Sequence, residues 1–412
     1  MIRLLHLSDV HLNAGFANKN SYIRNKIKEA LYETIEKVID YAIEYDLEGL
    51  IVAGDFFDDD KISFRDEHFV MNQFRRLLNK GQKIFYVTGN HDPMLTARFL
   101  EPLSQESSFY MFDEDTVKCL DVISRDGEPY KVVGVGHKSK NEQRNLVKNY
   151  PIKSTDEVWI GIAHASVPTA VDITDKSRYM ATALSQIEKL DYNYFALGHI
   201  HIRQLLTPKI GYSGNLQGLN IKETGSKGGY LVTLEPHATK VETVNFNVIQ
   251  WEQCDFELPT DIHSLSELQL SIVDHVTKSI ESNQSAANQI IMRLNLKGRS
   301  SLKNQLEVDS NCTYLSEIIK DKTGLLDLEI KFRHLTGDYN LEVLSSENTI
   351  LSQMIKRISD GKFEATLQQK IFELPIFVDK IELSEKVSYI HSMRDDLIQA
   401  VIERMVVQPD EN

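Results

Sequence analysis

Short apolar segments that alternate with helical patterns are the feature that most constrains this chain. Six of the segments before about residue 250 have the apolar composition of buried strands: 4–7, 49–53, 83–87, 132–135, 158–163 and 194–197. Between the first two, apolar side chains recur from Ile23 to Ile43 at spacings of three and four residues, which predicts an amphipathic helix. Strands that alternate with helices predict a layered α/β domain.

Residue types that bind metals directly follow five of these strands. Asp9 and His11 come after the first strand and Asp55 after the second. Asn90, His91 and Asp92 follow the third, and His164, His199 and His201 follow later ones. The carboxyl ends of strands in an α/β sheet form the crevice where sites lie, so we expect these side chains to converge. Residues two apart in an extended segment share a side, which would direct Asp9 with His11, and His199 with His201, into one cavity.

The ligands in this set are oxygen and imidazole, with no thiolate. Such donors suit Mn, Fe, Zn or Ni better than a calcium cage or a cysteine-type zinc site. Apart from His91 and Asp92, the candidate ligands are seven: Asp9, His11, Asp55, Asn90, His164, His199 and His201. Seven are more than one ion needs, so we expect two divalent ions bridged by a carboxylate. Asp55 is the expected bridge because it is the only ligand of its strand end.

Each motif also has a simpler explanation when taken alone. Asp-x-His is a common chance pattern, Gly54-Asp55 is often a turn, and the segment before Pro93 could cap a helix. His164 alone would more often be a buried, hydrogen-bonded histidine. Their order, their strand context and their ligand chemistry agree, which favours the metal site over these separate explanations.

Composition limits the class of protein. A length of 412 residues corresponds to two or three domains at roughly 150 residues each. The net charge of −14 argues against indiscriminate binding of polyanions, so a polyanionic substrate would need local positive charge. Three scattered cysteines fit a reducing cytoplasm, and no apolar stretch predicts a membrane span or a signal peptide.

The pattern changes after Trp251. A helix near residues 264–282, a strand at 290–296, a helix near 314–320 and a strand at 326–332 predict a small α+β domain. Two further helical patterns lie on either side of Pro375. We therefore predict domains at 1–250, 251–345 and 346–412, the last being helices that pack on their own domain or dock onto a partner.

The series of strand-end motifs resembles the five signature motifs of calcineurin-like metallophosphoesterases. Segments 5–12, 194–201 and 212–218 resemble the nuclease branch of SbcD-type DNA repair exonucleases, and 223–228 is similar to bacterial YhaO proteins. The resemblance covers about residues 1–245, and Ser213 departs from a proline that many relatives carry. It implies a layered metallophosphoesterase β-sandwich flanked by helices, with a small α+β capping domain and C-terminal helices.

The resemblance also implies roles for single residues. One ion would be held by Asp9, His11, Asp55 and His201, and the other by Asp55, Asn90, His164 and His199. His91 would be the catalytic acid and Asp92 would orient it, while a hydroxide between the ions attacks the phosphorus. Mn²⁺ is the expected metal, with Fe, Zn or Ni as alternatives.

We therefore predict a nuclease subunit of an SbcCD-like DNA repair complex. DNA, an SMC-type (SbcC-like) ATPase and a second copy of the chain are the expected partners, in the cytoplasm. A phosphatase or cyclic-nucleotide phosphodiesterase is the alternative enzyme, and an inactive scaffold is the non-enzymatic one. The basic residues of 19–28 and 138–148 could form a surface for DNA, or they could be ordinary solvated surface.

Overall fold

The structure is a computed structural model that describes residues 1–16, 19–58, 62–93, 97–168, 179–282, 287, 289–338, 341–346 and 349–360, and positions 394, 397, 398, 400–402 and 405. The strands are β1 (Ile2–Leu7), β2 (Gly49–Ala53), β3 (Lys83–Val87), β4 (Phe109–Phe112), β5 (Lys118–Ile123), β6 (Pro129–Val135), β7 (Val158–His164), β8 (Tyr194–Gly198), β9 (Gln204–Thr207), β10 (Ile210–Tyr212), β11 (Gly228–Glu235), β12 (Ala238–Asn245), β13 (Ile249–Glu257), β14 (Gln289–Ser300) and β15 (Asp327–Gly337). The helices are α1 (Ser21–Glu44), α2 (Phe64–Leu78), α3 (Leu184–Glu188), α4 (Leu265–Ser282), α5 (Lys303–Leu306), α6 (Asp309–Thr323), α7 (Leu341–Ser346) and α8 (Ile350–Ser359), with 3₁₀ turns at Ala97–Gln105 and Val147–Asn149.

Two six-stranded mixed sheets form the first part of the chain, and this confirms the predicted layered α/β sandwich. Their strand orders are β12-β11-β1-β2-β3-β4 and β5-β6-β7-β8-β10-β9. β1, β2, β3 and β4 run parallel to one another, as do β6, β7 and β8. Of these, β2, β3, β7 and β8 are buried at every residue, which explains why they are continuous apolar runs in the sequence.

Apolar side chains alternate between two cores along each central strand. On β1, Leu4 belongs to the core between the sheets, where it shares a cluster with Ile51 and Ile160. The next residue, Leu5, joins the core under α1 and α2. This alternation holds one sheet against the other on one face and against helices on the opposite face.

Local sequence explains where the two long helices of this layer begin. The Asn20 side chain accepts the backbone N–H of Ile23 at 2.9 Å and so caps α1. Ser63 and Asp66 form a reciprocal capping box at the start of α2. Each helix therefore starts where a side-chain oxygen satisfies backbone N–H groups that have no partner within the helix.

The predicted strands agree closely with the structure, and the exceptions have local causes. Residues 49–53 and 83–87 match β2 and β3 residue for residue. The observed β1 and β6 begin before the predicted segments 4–7 and 132–135, at Ile2 and Pro129, because these first residues pair with the neighbouring strands β11 and β5. Helix α2 was not predicted from the sequence, because its apolar residues are separated by many charged ones.

The chain divides into two compact units. The first comprises Met1–Gln253, Ile280–Met292 and Gly324–Asp327, and the second comprises Cys254–Ser279, Arg293–Thr323 and Leu328–Asn412. The strands β13, β14 and β15 form a three-stranded sheet in that order. The three-domain division at 250 and 345 stays a prediction.

The C-terminal helical patterns are described in part. The first pattern forms α8, and its buried side chains Leu351, Ile355 and Ile358 pack in one cluster with Ile398 and Ile402 from the second pattern. Pro375 and most of the second pattern lie outside the described residues. In the part of the chain that the structure describes, we find no helix both long and apolar enough to span a membrane.

Candidate metal centre

Five loops of the first unit bring the predicted ligands together. Asp9 and His11 follow β1, Asp55 follows β2, and Asn90 follows β3, all in the first sheet. In the second sheet His164 ends β7, and His199 and His201 follow β8. The carboxyl ends of parallel strands from both sheets therefore meet at this site, as the strand-end argument predicts.

Four of these residues have left-handed backbone conformations. The φ angles are +51° at Asp9, +49° at His11, +51° at Asp55 and +101° at His199. Non-glycine residues rarely adopt such angles, and each typically costs on the order of 1–3 kcal/mol. We expected Asp9 and His11 to point to one side because they lie in an extended segment. That reason was wrong, because both residues have left-handed backbone conformations.

Two glycines allow the ligand loops to approach closely. A Cβ atom at Gly89 would lie 2.1 Å from Asp55 Oδ1, and one at Gly198 would lie 1.8 Å from the carbonyl oxygen of Ala53. Gly198 ends a strand of one sheet and Ala53 ends a strand of the other. The absence of a side chain at Gly198 thus lets the two sheets come together where the ligands lie.

Three imidazoles are fixed through one nitrogen so that the other faces the centre. The Nδ1 atom of His11 lies 2.8 Å from Asp58 Oδ1, and that of His201 lies 3.0 Å from Glu223 Oε1. His164 Nδ1 donates to the carbonyl oxygen of Ala53 at 3.0 Å. A carboxylate or carbonyl behind Nδ1 is the usual way proteins orient a metal-binding imidazole and fix its tautomer.

The three Nε2 atoms meet other ligands at close range. His11 Nε2 and His201 Nε2 are 3.0 Å apart, and His201 Nε2 lies 3.9 Å from Asp9 Oδ1. His164 Nε2 lies 3.0 Å from Asn90 Oδ1 and 3.1 Å from Asp55 Oδ2. When Nδ1 carries its proton, two neutral imidazoles present lone pairs to each other, so a proton or a cation must lie between them.

Two carboxylates lie between these ligand groups. Asp55 Oδ2 is 3.1 Å from His164 Nε2 and 4.0 Å from His11 Nε2, which fits the predicted bridge. Asp9 also has ligand atoms within 4.8 Å of those of His11 and His201, and of those of Asp55 and His164. The sequence analysis did not identify this intermediate position of Asp9.

Burial and pairing shift the charges of these groups in opposite directions. Burial favours the neutral carboxyl, but His164 and His11 hold the pKa of Asp55 well below its ordinary range. Burial would lower the pKa of His164, but the charge and hydrogen bond of Asp55 raise it to about 9. The pKa of His11 also rises, because Asp58 and Asp55 outweigh the effect of burial. The carboxylates therefore attract positive charge to the site.

His199 lies on the His164 side of the centre. Its ring centroid is 5.4 Å from that of His164, and its backbone N–H lies 3.1 Å from both carboxylate oxygens of Asp9. His201 instead faces His11, with ring centroids 4.8 Å apart. The two histidines that follow β8 therefore serve different ligand groups.

His91 stands beside the ligand groups and remains open to solvent. Its side chain is 43% exposed, and its Nδ1 donates to the carbonyl oxygen of Asp58 at 2.8 Å. The backbone N–H of His91 donates to Asp55 Oδ1 at 2.8 Å. Since Nδ1 is occupied, Nε2 is the nitrogen that can meet a substrate.

Asp92 has a different role from the predicted one. Its carboxylate accepts the backbone N–H groups of Asp55, Phe56 and Gly89 at 2.7–3.1 Å and the Tyr86 hydroxyl at 2.5 Å. Burial and the neighbouring Asp55 raise its pKa to about 6. Asp92 thus ties the loops after β2 and β3 together. Among the described residues, the side chain of His91 is held by Asp58.

Two supporting residues escaped the sequence analysis. Asp58 contacts both His11 and His91, and it lies three residues after Asp55 in the motif Gly54-Asp55-Phe56-Phe57-Asp58. Glu223 lies 22 residues after His201, which its carboxylate contacts. The motif could have indicated Asp58, but the loop that returns Glu223 to the site leaves no periodic signal.

The basic segments proposed as DNA surfaces are partly neutralised. Lys19 Nζ lies 2.8 Å from Asp327 Oδ2. Arg144 binds Glu142 at 2.6 Å and Asp115 at 2.9 Å. These ion pairs reduce the positive charge available to a polyanion at those two positions, which favours the ordinary-surface explanation for them.

Comparisons with known proteins agree with this geometry. A family profile described as calcineurin-like phosphoesterase matches residues 2–203. The chain is 26% identical over 284 residues to the uncharacterized metallophosphoesterase YhaO of Bacillus subtilis, covering 67% of this chain and 68% of that protein. It is 24% identical over 403 residues to the DNA double-strand break repair protein Mre11 of Saccharolobus solfataricus, covering 90% and 99%. For Mre11 of Sulfurisphaera tokodaii the identity is 23% over 270 residues, covering 60% and 63%.

Proposed function

Residues 2–203 are a calcineurin-like phosphoesterase domain, and from this premise we propose that the chain is a divalent-metal-dependent phosphodiesterase that cleaves DNA. The observation that carries the proposal is the pair of Nε2 atoms of His11 and His201, which face each other at 3.0 Å while each Nδ1 contacts a carboxylate. Such a pair binds a cation or shares a proton, and with Asp9 beside it the pair forms a group of three metal-type ligands, which supports the cation.

The residues fit two ions in the arrangement that the sequence resemblance implies. Asp9, His11, Asp55 and His201 would hold one ion, and Asp55, Asn90, His164 and His199 the other. All are oxygen or imidazole donors, which suit Mn²⁺ and also Fe, Zn or Ni. Two bound ions would supply an activated water and neutralise charge on the phosphate.

His91 is placed to act on the leaving group. Its Nδ1 is held by the Asp58 carbonyl, so Nε2 can donate a proton to the departing sugar oxygen. Asp58 also fixes His11, so one residue positions both a proposed metal ligand and the proposed acid. Asp92 holds the two loops in register by accepting hydrogen bonds from both.

DNA is the proposed substrate because several relatives are named for DNA double-strand break repair. From the resemblance of segments 5–12, 194–201 and 212–218 to SbcD-type exonucleases we propose that the chain acts as a nuclease subunit with an SMC-type ATPase and as a homodimer. Co-elution of the full chain with such an ATPase, compared with a chain that lacks residues 346–412, tests the partner. Co-elution that does not depend on residues 346–412 would contradict docking through these helices.

The activity test uses three substrates with the purified chain and Mn²⁺. Labelled single-stranded DNA, double-stranded DNA and bis(p-nitrophenyl) phosphate are compared, with Asp55→Asn as the blank. We expect Mn²⁺-dependent cleavage of at least one DNA form and no cleavage by the blank. Hydrolysis of phosphomonoesters or cyclic nucleotides without cleavage of DNA would instead support the phosphatase or cyclic-nucleotide alternative.

A further inference from the structure

A cavity of about 330 Å³ adjoins the metal centre on the side of His201. It lies within the first unit and is formed by three chain segments, 201–203, 214–215 and 222–227. We call it the Lys227 cavity. His201 takes part in both sites, because its Nε2 faces the ligands while the residue also lines the cavity.

Three cationic side chains line the Lys227 cavity against one carboxylate. The cations are Arg203, Lys222 and Lys227, and the carboxylate is Glu223. Glu223 is already engaged, because its oxygens contact His201 Nδ1, the Asn215 and Asn220 amides and the Leu219 N–H at 2.7–3.0 Å. The lining therefore keeps excess positive charge in a chain whose net charge is −14.

Lys227 and Arg203 donate hydrogen bonds to neutral acceptors. Lys227 is 8% exposed, and its Nζ donates to the carbonyl oxygen of His201 at 3.4 Å. Arg203 donates to Asn245 Oδ1 at 2.9 Å, while its buried Nε has no hydrogen-bond partner. Among the described residues, neither cation has a carboxylate within salt-bridge distance. Burying charge without an opposite charge is costly, and a bound anion would offset that cost.

The cavity also offers contacts that suit an organic phosphate. Ile202 lines it and is 68% exposed, so an apolar surface stands beside the cations. A nucleotide presents a phosphate next to a sugar and a base, which matches this combination of charge and apolar surface.

We propose that the Lys227 cavity binds a backbone phosphate of the nucleic acid strand, next to the phosphodiester that is cleaved. The proposal rests on the proposed function, since the cavity adjoins the centre where cleavage would occur. It assigns the local positive charge that an acidic chain needs to hold a polyanion. A phosphate here would fix the strand while the neighbouring phosphate lies at the metal ligands.

Binding is tested first without catalysis. Fluorescence anisotropy of a labelled single-stranded oligonucleotide in EDTA compares the wild type, Lys222→Gln and Lys227→Gln, with Lys240→Gln as a control. Lys227 is buried, and its substitution could disturb the fold. Lys222 is exposed, so Lys222→Gln should fold normally and keeps the test informative in that case. Lys240 lies on β12 and is not part of the cavity lining.

We expect Kd to rise roughly tenfold in each cavity variant, since charged hydrogen bonds are lost. The slope of log Kd against log salt should fall by about one. The control should match the wild type. Equal Kd and slope in the wild type and Lys222→Gln, or no binding by the wild type, would overturn the proposal. Binding of inorganic phosphate that is measured by calorimetry and lost in Lys227→Gln, together with no affinity for the oligonucleotide, would assign the cavity to a free anion and also overturn the proposal.

Catalysis separates phosphate binding from indirect effects on His201. The ratio of kcat/KM for the oligonucleotide to that for bis(p-nitrophenyl) phosphate should fall about tenfold in Lys222→Gln and Lys227→Gln, chiefly through KM, because the small diester has no second phosphate. A role that acts only through His201 would lower both rates equally and leave the ratio unchanged, which would refute the proposal. If the wild type cleaves neither substrate, the proposed function fails, and the binding measurement still decides the cavity.

Discussion

At the scale of single residues, Asp58 connects two functions that the sequence analysis treated separately. Its carboxylate lies 2.8 Å from Nδ1 of the proposed metal ligand His11 and 3.6 Å from Nδ1 of the proposed acid His91, and its backbone carbonyl accepts the hydrogen bond of His91 Nδ1 at 2.8 Å. A substitution of the Asp58 side chain therefore removes the contact with His11 and keeps the hydrogen bond from His91 to the backbone carbonyl. This difference allows the two functions to be measured independently.

Asp58→Ala should lower Mn²⁺ affinity by about 10–100-fold, because His11 loses the group that orients it. His91→Asn should retain Mn²⁺ and lower turnover by about 10²–10⁴-fold, because a general acid is lost. Metal titration and rate measurements on both variants check this, and saturating Mn²⁺ should restore much of the rate only in Asp58→Ala. Wild-type turnover in His91→Asn would refute its role as the acid.

The pH dependence of metal binding follows from His164. Its pKa in the metal-free protein is about 9, raised from 6.5, so the protonated form adds stability below about pH 6.5 that is lost as pH rises through 9. A metal ion needs the unprotonated Nε2, so binding should release a proton near pH 7, and affinity should rise up to about pH 9. Calorimetry in two buffers of different ionisation enthalpy checks this. Binding heats near pH 7 that do not depend on the buffer would contradict it.

The sequence could predict which residues meet but not how each is supported. The ligands could be predicted because each directly follows an apolar run, and strand order then places them at one edge of the sheets. The partners of Asp92 and Glu223 could not be predicted, because they are backbone groups and distant loop residues whose positions depend on the folded chain. The expectation that Asp92 orients His91 failed for this reason.

At the scale of elements, the site depends on how closely β2 and β8 approach each other. Gly198→Ala would place a Cβ 1.8 Å from the Ala53 carbonyl oxygen and 2.8 Å from His164 Nδ1. We expect a loss of roughly 1–3 kcal/mol or more in unfolding free energy, and a weaker increase in Tm on addition of Mn²⁺. Thermal denaturation with and without Mn²⁺ measures both.

Gly15→Ala is the matched control, because a Cβ there meets nothing within 4 Å. It should behave as the wild type in both measurements. If Gly198→Ala kept the wild-type Tm and the wild-type response to Mn²⁺, the close contact between the sheets would not be what positions His164.

Elements were predictable where burial alone determines them. The strands β2 and β3 are buried at every residue, so their apolar runs mark both of their ends. The edge strand β9 was missed because its side chains are exposed or half-buried and it lacks a continuous apolar run. Its position depends on pairing with β10, which is a contact that only the folded chain defines.

At the scale of the whole molecule, the C-terminal helical patterns have a role in stability that can be measured. Ile402 is fully buried among Leu351, Ile355 and Ile358. Ile402→Ala should lower the stability of the second unit by about 2–5 kcal/mol, because it leaves a cavity. Calorimetry should show an unfolding transition at a lower temperature that does not respond to Mn²⁺. As a control, substitution of the exposed Met405 in Met405→Ala should leave the transition as in the wild type. An unchanged transition in Ile402→Ala would instead favour the docking of these helices onto a partner.

The left-handed conformations of Asp9, His11, Asp55 and His199 affect how this protein would respond to engineering. Each is tolerated for the sake of ligand placement, so a glycine at Asp55 would relieve backbone strain and remove a buried charge at once. A screen for heat resistance alone would therefore enrich inactive variants. Selection for a more thermostable variant therefore has to be carried out with the metal present. The ligand residues are then retained, because metal binding stabilises the folded protein through them.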